Sequence, residues 1–322
     1  MVYETDVQRT SRAGVRAERL GKRFGDLWAL RDLDLDVPAG SVLGLLGHNG
    51  AGKTTALRIL TTLTMPTEGR ASVAGYDVVG EAPRVRERIG VACQAATVDG
   101  LLTARANLEL VGRLYHLPRS EARRRANELL ERLELADVAT KLVKTLSGGM
   151  RRRLDLAASL VAKPPVLFLD EPTTGLDPHA RNQLWDVLRE QVRTGVTLVL
   201  TTQYLEEADK LADRVVVLDR GRIAAEGTPA ELKARFGGDR IEVSVGAPSE
   251  VEAARTALAP FLAGVATTEA LQVIAPVRTG TRLVEVVRAL DAAGIDARDV
   301  HRREVTLDDV FLAITARGKE AA

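Results

Sequence analysis

A glycine-rich turn constrains the fold of this chain more than any other feature. Residues 41–47, SVLGLLG, have the pattern of a buried strand, and the turn Gly47-His48-Asn49-Gly50-Ala51-Gly52-Lys53-Thr54 follows. Glycines let successive backbone N–H groups curl around an anion, and a helix starting at Lys53 points its positive end at the same place. A chance glycine-rich turn is the alternative, but the apolar strand before it and the amphipathic helix after it favour a phosphate-binding loop. The sequence therefore predicts an α/β chain with a nucleoside triphosphate site.

The side chains of this loop have separate expected roles. Lys53 supplies a positive charge to the β- and γ-phosphates, and the hydroxyl of Thr54 is expected to ligate Mg²⁺. Thr55 is placed to hydrogen-bond the α-phosphate. His48 is expected near the triphosphate, with its backbone rather than its ring used by the motif.

Two carboxylates end a later apolar strand. Residues 166–169 read VLFL and are followed by Asp170 and Glu171. In phosphate-loop proteins the acid at the strand end holds Mg²⁺, which assigns Asp170. Glu171 points to the opposite face of the strand tip, where it can accept a proton from an attacking water. The alternative is a strand end with two solvent-exposed acids, but the phosphate-binding loop upstream favours the catalytic interpretation.

Composition limits the remaining functions. The 322 residues carry 45 Lys and Arg against 44 Asp and Glu, and aromatic residues make up 3%, which argues against bulk nucleic-acid binding. The arginine runs at 123–125 and 151–153 are expected to be solvated helix faces. A single cysteine, Cys93, excludes an intrachain disulfide. No apolar run reaches the length of a membrane-spanning helix, so we expect that the chain does not cross a membrane by itself.

The order of patterns predicts two domains after a flexible tail at residues 1–14. Strand and helix patterns alternate from residue 15 onward, which favours a parallel or mixed sheet. The pattern restarts after Phe236-Gly237-Gly238-Asp239, and the order βαββαβ with a trailing helix predicts a small α+β, ferredoxin-like domain. The predicted domains are therefore residues 15–238 and 239–322.

A third motif, a Ser-Gly-Gly segment, lies between the phosphate-binding loop and the acidic strand end. Ser147-Gly148-Gly149 precedes an amphipathic helix and offers a hydroxyl and two unhindered backbone amides at its start. Alone it would be an ordinary helix N-cap. Between the phosphate-binding loop and the acidic strand, in this order, it makes residues 15–235 resemble the ATP-binding subunit of an ATP-binding cassette (ABC) transporter.

The resemblance implies a fold and further site residues. It implies a P-loop NTPase fold with an antiparallel β-subdomain and a helical subdomain, and ATP and Mg²⁺ as ligands. Gln94 would contact Mg²⁺ and the attacking water, Asp177 would lie at a dimer interface, and Phe24 would stack on adenine. Ser147, Gly148 and Gly149 of one subunit would cover the ATP bound by the other. A homodimer bound to a separate integral membrane permease, with no nucleic acid, is the implied assembly.

One position departs from the family. Gln203 stands where the family usually has a histidine that contacts the γ-phosphate. A neutral amide donates a hydrogen bond but carries no imidazolium charge, so hydrolysis is expected to depend more on Glu171.

The closest similarity is to the daunorubicin/doxorubicin-resistance drug exporters, through the segments TTQYLEEAD, LSGGMRRRLD and TLDDVFLAIT. It implies an ATPase at the cytoplasmic face of the cell membrane that powers export of a hydrophobic drug or similar small molecule. Two other functions stay open. The first is a soluble ABC ATPase acting on ribosomes or DNA, although such relatives usually carry two cassettes, long coiled coils or zinc-bearing insertions. The second is a drug-sequestering protein in which the C-terminal domain is the active part.

Overall fold

The computed structural model of the chain describes residues 14–92, 97–236, 239–278, 280–303 and 305–320. The chain divides into two compact units between Thr228 and Pro229. This division falls ten residues before the boundary expected from the sequence, because the helix Pro229–Phe236 packs against the last helix of the second unit.

The first unit combines two sheets with helices. Its strands are β1 (Val15–Phe24), β2 (Leu27–Val37), β3 (Val42–Leu46), β4 (Glu68–Val73), β5 (Tyr76–Asp77), β6 (Ile89–Ala92), β7 (Val166–Asp170), β8 (Thr197–Thr202), β9 (Arg214–Asp219) and β10 (Arg222–Gly227). Its α-helices are α1 (Lys53–Leu60), α2 (Ala82–Arg88), α3 (Ala104–Leu114), α4 (Arg119–Arg132), α5 (Gly148–Leu160), α6 (Pro178–Arg193) and α7 (Leu205–Leu211). Short 3-10 helices cover Ala136–Val138 and Val143–Thr145.

The larger sheet has the strand order β10-β9-β3-β8-β7-β6. Its neighbours pair in parallel except β10, which returns beside β9 through the turn at Arg220-Gly221. Every residue of β3, β7 and β8 is buried, which explains why these strands are continuous apolar runs rather than alternating ones. The predicted α/β class is therefore confirmed, and the carboxyl ends of β3, β7 and β8 meet at one edge.

The smaller sheet is antiparallel, with the order β2-β1-β4-β5. Leu20, Leu30 and Leu33 are completely buried on its inner face, in a core shared with Leu57 of α1 and Phe168 of β7. The alternation of apolar and polar residues in β2 is thus the pattern of a sheet with one face against a core.

A second core of the same unit includes residues of α3, α4 and α5. Arg125 of α4 is buried here, where its guanidinium donates to the carbonyl oxygens of Leu160 at 2.9 Å and Val161 at 3.3 Å. Glu128 pairs with it at 2.6 Å. The expectation that the run 123–125 is a solvated face is wrong for Arg125, because its guanidinium donates to carbonyl oxygens at the end of α5 instead of to water.

The second unit has its own sheet and core. Its elements are α8 (Pro229–Phe236), β11 (Asp239–Val245), α9 (Pro248–Leu258), a 3-10 helix (Ala259–Phe261), β12 (Thr267–Glu269), β13 (Gln272–Val277), α10 (Leu283–Ala292), β14 (Ala297–Arg303) and α11 (Leu307–Glu320). The sheet order is β12-β13-β11-β14, with antiparallel pairs. From β11 onward the elements follow the predicted order βαββαβ plus a helix; the ferredoxin-like assignment itself stays a prediction. Across the described ranges, no helix is long and apolar enough to cross a membrane.

A glycine in β6 provides a test of how the sheet packs on α5. A Cβ at Gly90 would lie 2.1 Å from the backbone oxygen of Ser159 and 2.8 Å from Pro164. Because backbone cannot move aside cheaply, we expect Gly90→Ala to lower the free energy of unfolding by about 1–3 kcal/mol. Urea denaturation followed by tryptophan fluorescence measures it. Gly100→Ala, whose Cβ would meet Lys144 at an ordinary 3.6 Å, is the control, and equal midpoints for the two variants would contradict the packing argument.

Candidate nucleotide-binding site

The phosphate-binding loop joins the buried strand β3 to helix α1. Its glycines adopt left-handed backbone angles, with φ of 155° at Gly47, 84° at Gly50 and 108° at Gly52. A Cβ at Gly47 would lie 2.6 Å from the carbonyl oxygen of Leu218, so no larger residue fits there. The backbone conformation that the motif requires is therefore present, with the N-terminus of α1 directly behind it.

Lys53 is held beneath this loop. The residue is only 5% exposed, and its Nζ donates to the carbonyl oxygens of Gly47 at 2.6 Å and His48 at 3.2 Å. Burial lowers the pKa of Lys53, while the charges of Glu171 and Asp170 act in the opposite direction. The ammonium group thus sits at the loop itself, with two neighbouring acids that favour its charged form.

Asp170 ends β7 and joins three elements. Its carboxylate accepts from the hydroxyl of Thr54, at 3.3 Å to Oδ2, and from the hydroxyl of Thr201 in β8. The carboxylate is buried, so these donors replace the water it would otherwise bind. Thr54 and Asp170, predicted from separate motifs, therefore lie within hydrogen-bonding distance of each other.

Glu171 occupies a constrained position beside them. Its φ of 49° is left-handed, which is uncommon for a glutamate. Its backbone N–H donates to the carbonyl oxygen of Thr201 at 3.0 Å and to the hydroxyl of Thr201 at 3.2 Å, and the hydroxyl of Thr174 lies 3.4 Å from Oε2. The backbone turns sharply after Asp170 and sends Glu171 to the cleft described next.

An open cleft of 840 Å³ lies over the loop. The residues that line it are Leu27, Trp28, Ala29, His48, Asn49, Gly50, Ala51, Gly52, Lys53, Thr54, Thr55, Glu171 and Arg220. The predicted loop residues and Glu171 are thus brought together. Trp28 and Arg220 were missed by the sequence reasoning. Arg220 lies in the turn between β9 and β10, and no local sequence pattern brings that turn to the loop.

The predicted residues Phe24 and Gln203 are not among those that line the cleft. Phe24 is 54% exposed at the end of β1, where Lys22 Nζ lies 5.1 Å from its ring centre and Leu27 is its cross-strand partner. Gln203 is exposed in the loop that follows Thr202, the last residue of β8. Gln94 falls outside the described residues. Their roles stay predictions.

The residues at helix starts that are predicted for the dimer interface are also not among those that line the cleft of the same chain. Ser147 is the N-cap of α5, and its Oγ accepts from the N–H of Met150 at 3.2 Å. Ser147 and Gly148 are exposed, and a Cβ at Gly148 would meet nothing within 4 Å. Asp177 caps α6 through the N–H of Ala180 at 2.9 Å, and this hydrogen bond lowers the pKa of Asp177.

Arg152 ties α5 to the acidic strand end. Its guanidinium donates to the carbonyl oxygens of Asp170 and Glu171, both at 2.6 Å, and of Pro172 at 3.0 Å. The expectation of a solvated face over 151–153 is wrong for this residue, because the left-handed turn at Glu171 leaves carbonyls that need a donor.

Behind this edge, Glu207 of α7 is completely buried. Its Oε1 accepts from Nε1 of Trp185 in α6 at 3.1 Å. Burial raises the pKa of Glu207, opposed in part by the hydrogen bond from Trp185. This carboxyl group therefore joins α7 to α6.

Comparison with known proteins agrees with this geometry. The family described as "ABC transporter" matches residues 30–174. The daunorubicin resistance ATP-binding protein DrrA3 of Streptomyces coeruleorubidus is 55% identical over 94% of this chain and 96% of its own length. The Nod factor export ATP-binding protein I of Ralstonia nicotianae is 42% identical over 93% of each chain.

A solved structure also aligns with about two thirds of this chain. A dimeric ATP-binding cassette in a post-hydrolysis state, bound to ADP and Pi, aligns with a TM-score of 0.62 at 28% identity, over 66% of this chain and 98% of that one.

Fold and cleft together define a nucleotide-binding ATPase of the cassette type. The chain belongs to the ABC transporter family, in the group of the daunorubicin/doxorubicin-resistance ATP-binding subunits. Its ATP hydrolysis is coupled to transport, and cassettes of this family work as dimers with a separate membrane subunit.

The buried carboxyl of Glu207 makes a prediction about stability and pH. Because its pKa in the folded state lies above the ordinary 4.5, the folded state keeps a proton that the unfolded state has released once the pH exceeds that value. The parent therefore loses stability relative to Glu207→Gln as pH rises from 4.5 toward neutrality. Urea denaturation of both proteins across that range measures the difference. Glu206→Gln changes a carboxylate on the exposed side of the same helix, and an equal pH trend there would contradict the role of burial.

Proposed function

We propose that this chain powers export of a hydrophobic drug or similar small molecule through a separate membrane permease, at the cytoplasmic face of the cell membrane. The observation that carries its ATPase role is the meeting of Lys53, Asp170 and Glu171 at one edge of the sheet. The export assignment is supported by the relatives named for daunorubicin resistance and Nod factor export. The exported molecule is bound by the permease in this proposal, so the chain supplies energy rather than specificity.

The loop binds ATP in this proposal. Backbone N–H groups of residues 47–53 surround the β- and γ-phosphates, and Lys53 exchanges its two carbonyl acceptors for phosphate oxygens. Thr55 binds the α-phosphate, and Phe24 stacks on the base. These contacts hold the γ-phosphate next to Glu171, which shares the cleft.

Mg²⁺ fits the oxygen pair formed by Thr54 and Asp170. A hydroxyl and a carboxylate are hard ligands, and Mg²⁺ in such sites takes one or two protein oxygens and fills the rest with phosphates and waters. Gln94 adds an amide oxygen in the same role. When bound, the ion supplies positive charge that stabilises the β- and γ-phosphate oxygens.

Glu171 is the proposed general base. Its carboxylate accepts a proton from the attacking water, and its buried surroundings and the Arg152 clamp fix its position relative to the phosphate-binding loop. Gln203 donates a neutral hydrogen bond to the γ-phosphate. Because the Gln203 amide cannot take up a proton, proton transfer is assigned to Glu171 alone.

A homodimer completes the site. Ser147, Gly148 and Asp177 are exposed and lie outside their own cleft, and open space in front of Gly148 leaves room for a ligand. The exposed helix start at Ser147 offers N–H groups suited to the γ-phosphate of an ATP held by a second copy. Two identical chains would then enclose two ATP molecules.

Replacement of Glu171 tests the catalytic assignment. We expect Glu171→Gln to bind ATP and to accumulate as an ATP-bound dimer, with hydrolysis reduced by about 10²–10⁴-fold because an amide takes no proton. Steady-state ATPase assays and size-exclusion chromatography with ATP and Mg²⁺ measure both effects. Lys53→Ala is the control that should lose nucleotide binding. A Glu171→Gln protein that stays monomeric and hydrolyses ATP normally would refute the role.

A second set of variants tests Gln203. Gln203→His should hydrolyse ATP at a similar rate, because imidazole also donates a hydrogen bond. Gln203→Ala should lose up to about tenfold in rate, since one hydrogen bond contributes about 0.5–1.5 kcal/mol. ATPase assays at saturating ATP compare them with the parent. Full activity of Gln203→Ala would make Gln203 a structural loop residue.

A further inference from the structure

The turn between β9 and β10 holds an arginine in an unfavourable backbone conformation. Arg220 has a φ of 47° and Gly221 a φ of 77°. Two-residue hairpin turns of this kind favour Asn, Asp or Gly at both positions, because a Cβ is strained in the left-handed region. Strain of this sort is retained where the surrounding structure enforces it and often serves a site.

The residues on both sides of Arg220 contact the phosphate-binding loop. Before it, Asp219 Oδ1 lies 3.0 Å from Nε2 of His48. After it, the N–H of Gly221 donates to the carbonyl oxygen of Ala51 at 3.0 Å. A Cβ at Gly221 would lie 2.9 Å from the carbonyl oxygen of Ala29, so the turn is also fixed from the side of β2.

The charge of Arg220 has no partner within the described part of the chain. Its side chain lines the cleft with the loop residues, and no hydrogen bond or ion pair joins it to another described residue. Arg222, two positions on, pairs with Asp32 at 3.2 Å instead. The strained position therefore presents an unpaired guanidinium to the space over the loop.

We propose that Arg220 is a nucleotide-contacting residue whose guanidinium binds phosphate oxygens of the bound nucleotide. The inference rests on the ATP site of the proposed function and adds a second cation to it besides Lys53. The phosphates rather than the base are the partner, because both neighbours of Arg220 contact residues 48–51, where the loop surrounds the phosphates. A guanidinium pairs with phosphate through two parallel hydrogen bonds. Such a pair needs a defined arginine position, which a turn with a fixed backbone provides.

Equilibrium binding of ATP and of adenosine to the full chain, by calorimetry, tests this role. Arg220→Asn removes the charge and suits the left-handed conformation, so its urea midpoint should equal or exceed that of the parent. Its ATP affinity should fall by about five- to tenfold, the range of a partly solvated charged hydrogen bond, with adenosine binding unchanged. Arg220→Lys should keep part of the affinity, and Arg222→Gln, which removes a charge from the same hairpin, should keep all of it.

Several results would overturn the inference. One is an ATP affinity of Arg220→Asn equal to that of the parent. Another is an equal loss of affinity for ATP and for adenosine, which would assign the contact to the base or ribose. If Arg220→Asn folds poorly, Arg220→Gly makes the same comparison. Lys53→Ala, measured in the same way, tests the phosphate-binding loop. Unchanged ATP binding in Lys53→Ala counts against the proposed function. Unchanged ATP binding in the Arg220 variants alone overturns only this inference.

Discussion

Because β3, β8 and β7 lie side by side in parallel, Leu46, Thr202 and Asp170 end at the same edge of the sheet. The direct register of Asp170 with Thr201 brings a hydroxyl from the neighbouring strand to the carboxylate. The turns that leave this edge carry the phosphate-binding loop, Glu171 and Gln203. A shift of one residue in this register would turn Asp170 toward the other face of the sheet, away from Thr54.

Three charged side chains at this edge of the sheet are largely buried. Lys53, Asp170 and Glu171 are each less than 10% exposed, and isolated charges at such positions would be costly. Each is instead held by neighbours: Lys53 by loop carbonyls, Asp170 by hydroxyls of Thr54 and Thr201. The same groups are those that a nucleotide and a divalent ion would use, so the contacts described are ones that ligands can replace.

Two of the non-glycine residues with left-handed backbone angles lie next to the nucleotide cleft. Glu171 and Arg220 both adopt left-handed angles, each at the end of a strand of the larger sheet. Glu171 is stabilised there by Arg152, which reaches across from α5, and Arg220 by the bonds of its neighbours to the loop. The helix behind the Ser-Gly-Gly motif therefore also supports the acidic strand end of its own chain. This is a connection between the two motifs that does not require the second subunit.

The sequence by itself determined the class and the main motifs. The glycines of residues 47–52, the buried run before them and the acids after 166–169 are local patterns, since their chemistry depends on neighbours a few positions away. The order of the motifs was enough to indicate the family.

Only the tertiary structure decided which residues far apart along the chain come into contact. Arg152 meets carbonyls 18 to 20 positions away, Arg125 meets others 35 and 36 away, and Arg220 reaches a loop that ended more than 160 residues earlier. In sequence these arginines resemble solvated residues, because charge alone does not specify whether a free carbonyl lies nearby. Glu207 likewise looks like one more helix acid until the packing of α6 and α7 encloses it. A hydrogen bond between segments far apart along the chain leaves no period or spacing in either segment, and so it is set by the packing alone.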